Sequence, residues 1–79
     1  MIRANIQIIG TEEIREFVAT LNHDGTADKY ILQNFDGNFT VDARSYLGAL
    51  YASAEFGDIF LLNLTNDGKF PNGIDKFRK

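Results

Sequence analysis

The side chains able to do chemistry are few and scattered. One imidazole, His23, lies in the turn Asn22-His23-Asp24-Gly25. No base or nucleophile accompanies it in sequence, and dispersed carboxylates around a lone imidazole lack the ligand spacing of a metal centre. A surface or helix-capping role is the plainer one for His23. Cysteine is absent, so there is neither a disulfide framework nor a thiolate metal site. The eleven carboxylates show no paired arrangement, and no Gly-rich phosphate loop or nucleophile elbow occurs. An enzyme, and with it any cofactor or metal, is not what these residues suggest. Ser45 is the hydroxyl with the most defined place, in the first turn of a helix where it satisfies unpaired amides.

The elements that must hold these groups follow from apolar spacing. Ile2, Ala4, Ile6 and Ile8 alternate with polar residues, so 2–9 reads as a strand with one buried face. Gly10-Thr11 breaks it, and Thr11 caps a helix whose stripe is Ile14, Phe17, Val18 and Leu21. A second strand is expected at 29–33. Asp36-Gly37 is the strongest hairpin signal, and a turn there sets Leu32 opposite Val41 and Gln33 opposite Thr40. The third strand, Phe39-Thr40-Val41, leads to Asp42 as N-cap of a second helix. Its residues Ala43, Tyr46, Leu47, Leu50, Tyr51 and Ala54 fall within an arc of roughly 140°. Gly57 ends that helix, and the apolar run 58–65 is a well-covered strand. Two helices on one face of a four-stranded antiparallel sheet make a two-layer α+β domain.

Composition sets outer bounds. A chain of 79 residues is one domain, 1–79, near the size where only about 60% of the unfolded surface becomes buried. The 44% hydrophobic fraction, with seven Phe and three Tyr, is enough for a core. No apolar run approaches the ~20 residues of a membrane span and no secretory leader opens the chain, so a cytoplasmic protein is expected. The net charge of −3 argues against nucleic acid, which needs a concentrated basic surface. Lys69, Lys76, Arg78 and Lys79 cluster near one end, where a solvated tail is the ordinary explanation.

The string Val41-Asp42-Ala43-Arg44-Ser45-Tyr46-Leu47-Gly48-Ala49-Leu50, followed by Gly57-Asp58, resembles the regulatory-serine segment of HPr, the histidine-containing phosphocarrier family of the bacterial sugar phosphotransferase system. The match covers about a third of the chain. It implies an HPr-like open-faced sandwich with sheet order 1-4-2-3 and a third, C-terminal helix. Only 14 residues follow Thr65, among them Gly68, Pro71 and Gly73, so a turn or two of helix at most is expected there. Phe70, Ile74 and Phe77 are expected to cover part of the sheet face in its stead. Apolar sheet left bare would favour a weak dimer over a monomer.

The family carries its phosphoryl group on a histidine just before helix 1, with an arginine nearby. Aligning the family's Phe with Phe17 puts Gly10 where that histidine stands and Glu12 where the arginine stands. The nucleophile is missing and the phosphate ligand has reversed charge. Glu12 and Glu13 occupy the positive end of the helix, where an incoming phosphate would meet carboxylates. Ser45 matches the serine that a dedicated kinase phosphorylates in the family, a charge the helix dipole tolerates. Tyr46, Leu47 and Leu50 match the positions through which the family's helix 2 docks on partner proteins. By spacing alone, Leu47 and Leu50 sit mid-arc and read as core, while Tyr46 at the rim reads as a contact residue. Two functions are implied. One is a regulatory or protein-interaction module working through helix 2, as in the HPr-like catabolite-repression proteins that lack the histidine and keep the serine. The other is a phosphocarrier with a displaced acceptor, which would have to be His23.

Overall fold

The computed structural model describes residues 1–79. Four strands and two helices follow one another as β1 (Ile2–Ile6), α1 (Gly10–Asn22), β2 (Tyr30–Gln33), β3 (Thr40–Asp42), α2 (Tyr46–Glu55) and β4 (Ile59–Asn63), and a short 3-10 helix spans Asn72–Phe77. The strands form one antiparallel sheet in the order β1-β4-β2-β3. Alternation assigns the faces. Ala4, Ile6, Tyr30, Leu32, Ile59 and Leu61 point toward the helices and are buried with Ile14, Phe17, Leu21, Ala49 and Ala52 in one core. Arg3, Ile31, Gln33, Phe60 and Leu62 belong to the other face, where the Arg3 guanidinium lies 3.9 Å above the Phe60 ring. The architecture is an α+β open-faced sandwich.

Register in the hairpin is as the pattern demands: Leu32 pairs with Val41 and Gln33 with Thr40. The reversal is wider than the expected two-residue turn, a four-residue loop closed by Asn34 N–H donating to the Phe39 carbonyl (3.3 Å). Gly37 N–H donates to the Asn34 carbonyl (3.1 Å), so Phe35 and Asp36 are the central turn residues and Gly37 follows them. Asn34 supports the turn further by accepting from Phe39 N–H at its side-chain oxygen.

Several boundaries move for identifiable reasons. β1 stops at Ile6, although Ile8 remains buried, because Gln7 N–H turns to the Phe77 carbonyl (2.7 Å) instead of continuing the ladder. Lys79 N–H donates to Asn5 O, so the last residues run along the free edge of β1 and blunt it. Asp42 is the end of β3 and not the cap of α2; its carboxylate accepts from Arg44 N–H (2.9 Å), a local turn that keeps residues 43–45 outside the helix. Thr11 is inside α1, whose N-cap is Ile9.

The helical arc of α2 is rotated from the one its large side chains suggest. Ala49 and Ala52 are fully buried, Tyr46 and Leu50 are half-buried, and Leu47 and Tyr51 face outward with Ala54. The reason is close approach. A Cβ on Gly48 would lie 2.7 Å from the Asp42 carbonyl, so this face of α2 rests almost on the backbone of β3 and only glycine and alanine fit beneath it. Ala43 is buried, but ahead of the helix.

The short 3-10 helix covers part of the core, as expected of Phe70, Ile74 and Phe77. Ile74 and Phe77 are buried, and the Phe77 ring meets Phe17 edge-on at 5.4 Å. Phe70 packs against the same core as a half-buried residue. No helix is long and apolar enough to cross a membrane.

Candidate functional site

The entrance to α1 is built from a glycine and two acids. Ile9 is extended (φ −122°, ψ 122°) and offers no side-chain cap. Gly10, the first helical residue, has φ +81°, a left-handed backbone that side chains rarely adopt. Glu13 closes the end by accepting the Ile9 N–H at Oε1 (3.1 Å), and Glu12 stands beside it in the first turn. The partial positive charge of the helix end is thus met by the chain's own carboxylate. Gly10 itself has no side chain that could accept a phosphoryl group.

Ser45 is the N-cap of α2. It is extended (φ −94°, ψ 126°), its Oγ accepts Gly48 N–H at 3.2 Å, and its carbonyl accepts Ala49 N–H at 2.9 Å. The hydroxyl is half-buried and performs the capping its position predicts.

On the outward side of α2, Leu47 is 74% exposed and Tyr51 47%. Leu47 is therefore not core, contrary to its mid-arc spacing. Tyr46 and Leu50 flank it, each half-buried against the core. One turn past Tyr51 the ring of Phe56 meets it edge-on at 5.9 Å. Phe56 in turn lines a recess of about 180 Å³, together with Ile6, Ile9, Ser53, Ile59 and Lys79, between the start of α1 and the end of α2. Ile9 is 62% exposed at that recess. Leu47 and Tyr51, one helical turn apart, are the exposed large apolar side chains of α2, Ile9 is exposed separately at the recess, and Phe56 is buried.

At the opposite end of the sheet lies a polar cluster that spacing did not disclose. Arg44 donates to the carbonyls of Leu21, Thr26 and Asp28 and lies 3.5 Å from Asp24 Oδ1. Its guanidinium also stacks 4.8 Å from the Tyr30 ring. Tyr30 Oη donates to Asp24 Oδ2 at 2.5 Å. Fully buried Asn63 donates to Asp28 Oδ2 and to the Lys69 carbonyl, and accepts from Thr65 N–H. Burial pushes the Tyr30 phenol up to about 12, with the Asp24 carboxylate adding to it. Burial alone would raise Asp24, but hydrogen bonds from Tyr30 and from the amide and hydroxyl of Thr26, with the Arg44 charge, outweigh it and hold that carboxyl below its ordinary value. Two open recesses of about 550 and 490 Å³ flank the cluster. Their best donors and acceptors are spent on each other, so the cluster fastens the exit of α1 to β2 and to the turn before α2.

His23 caps the exit of α1 through its backbone N–H, which donates to Ala19 O, and it is exposed. A helix of 13 residues separates it from the α1 entrance, about 20 Å at 1.5 Å per residue. No group of three His, Asp or Glu side chains converges to hold a metal ion. Neither a family model, nor a curated protein, nor a solved structure matches the chain.

Proposed function

We propose that this chain is an HPr-like protein-interaction module that does not carry phosphate on histidine and that docks on a protein partner through the outward face of α2, with Ser45 as its candidate site of regulatory phosphorylation. The observation that carries the reading is the chemistry of α2. Residues 45–54 contain no charged side chain, yet Leu47 and Tyr51, four residues apart on one face, stand in solvent. A helix that only bounded the domain would carry charge on that side. The self-occupied α1 entrance supports the loss of phosphocarrier chemistry, and the sheet order 1-4-2-3 is the order that the resemblance implies.

The test has three arms. Leu47→Ser/Tyr51→Ser should lose protein partners that the wild type retains while melting at the same temperature; equal retention of every partner contradicts the docking reading. Incubation with phosphoenolpyruvate and Enzyme I should leave the intact mass unchanged. An acid-labile phosphate that disappears in His23→Ala would instead support the displaced-acceptor alternative. Incubation with HPr kinase and ATP should add one phosphate to the wild type and none to Ser45→Ala; an unmodified wild type removes the switch and leaves the docking face.

A further inference from the structure

The sheet has a second face, on the side away from the helices. Register sets its side chains in rows, because cross-strand partners share a face. One row runs Arg3, Leu62, Ile31, Asp42 across β1, β4, β2 and β3, and the next runs Asn5, Phe60, Gln33, Thr40. The first row is thus a cation at one edge, two aliphatic residues in the middle and an anion at the other edge. Ile31 and Leu62 are closely flanked, 7% and 6% exposed, but lie outside the helix-side core. Phe60 is half-buried, and Phe35, 69% exposed, sets its ring 6.3 Å away. Arg3 and Asp42 are exposed and neither forms an ion pair. The Arg3 guanidinium rests on the Phe60 ring, and the Asp42 carboxylate accepts the Arg44 amide, a neutral donor that leaves its charge without a counter-ion.

We propose that this face pairs with the same face of a second copy of the chain, about a two-fold axis that runs parallel to the strands between β4 and β2. That operation lays each row on itself in reverse. Arg3 falls opposite Asp42 of the second copy, Leu62 opposite Ile31, Asn5 opposite Thr40 and Phe60 opposite Gln33. Lys29, whose carbonyl accepts Leu64 N–H, falls opposite Leu64, so none of these charges meets its own sign. The Phe35 and Phe60 rings of both copies come to the same end. Sheets packed face to face stand about 10 Å apart, a gap that the long Arg3 side chain and the short Asp42 one can close between them. A two-fold axis across the strands would instead set the Arg3 edge over the Arg3 edge and the Asp42 edge over the Asp42 edge, so charge selects the first arrangement. The face is small: four strands about 4.8 Å apart and up to five residues long, at about 3.3 Å each, present on the order of 300 Å². That is well short of the ~800 Å² per partner of a stable complex, so the dimer is weak and concentration-dependent. α2 lies on the other side of the sheet and stays free, so this pairing stands or falls separately from docking through α2.

Dilution of the labelled full chain from about 1 mM to about 10 μM, followed by amide shifts and by sedimentation, tests the pairing. The concentrated sample should contain dimer and the dilute one monomer, with shifts at Arg3, Ile31, Phe60 and Leu62 and none at Leu47 or Tyr51. High salt should weaken the association by screening its two ion pairs. Arg3→Asp and Asp42→Arg should each weaken it about tenfold. An equal mixture of the two variants should associate as the wild type does, because each ion pair again joins unlike charges, whereas mixing cannot repair a folding defect. Phe35→Glu, on an exposed ring, should weaken association as well, and with Arg3→Asp it carries the test should Asp42→Arg fail to fold. A monomer at 1 mM, shifts confined to another surface, Arg3→Asp associating as tightly as the wild type, or a mixture of two folded variants no better than either alone overturns the proposal.

Discussion

Tyr30 and Asp24 link one hydrogen bond to the stability of the whole domain. The folded phenol stays protonated up to about 12 while an exposed one ionises near 10.0, so its contribution is complete below pH 10 and is lost as pH rises toward 12. Asp24 is lowered, so its contribution is present above the unfolded value and is lost as pH falls through the folded one, on the acid side of 3.8. Urea unfolding as a function of pH should show both limbs. Tyr30→Phe should flatten the alkaline limb and cost about 2 kcal/mol at neutral pH, because a carboxylate loses a charged hydrogen bond. Gly48→Ala should cost about 1–3 kcal/mol, since the added methyl meets the Asp42 carbonyl, which is backbone and yields little. Gly10→His places a side chain at φ +81° and should destabilise by about 1 kcal/mol; chemical denaturation measures it. The chemistry at this scale was half legible. Glu12, Glu13 and Gly10 stand together in the sequence and their meaning at a helix entrance is local. Arg44, Asp24, Tyr30 and Asn63 meet only through the tertiary fold, and no spacing rule joins a turn after α1 to the residue before Ser45.

Among the elements, the hairpin and α2 show where pattern suffices and where it does not. Period-two alternation in β2 and β3 has one register that buries Leu32 with Val41, and that register is observed. α2 is apolar nearly all round, so its sequence does not state which side is inward. Ranking by size selects Leu47, but the close approach at Gly48 makes small residues the buried ones. Substitution separates the two faces. Leu47→Ser should change the unfolding free energy by no more than about 0.5 kcal/mol, as exposed positions do, whereas Ala52→Leu should cost about 1–3 kcal/mol by overpacking. The C-terminal 3-10 helix is short, yet Phe77→Ala should remove about 3–5 kcal/mol, a large share of what a domain of this size has, because the ring fills the core against Phe17. Chemical denaturation of each variant checks these values.

Over the whole molecule, the two ends divide the work. One end is closed by the Arg44 cluster, where the buried polar groups satisfy each other. The other carries Leu47, Tyr51 and Ile9, apolar side chains that stand in solvent. Cross-linking from positions along this surface tests the division most directly. A photoreactive residue placed at Leu47 or Tyr51, in cells that make the protein natively, should give the same discrete adduct from both positions. The same residue at Asp67, beyond the opposite end of the sheet, should give none. Absence of any adduct from Leu47 and Tyr51, or an identical set of adducts from Asp67, would contradict the account.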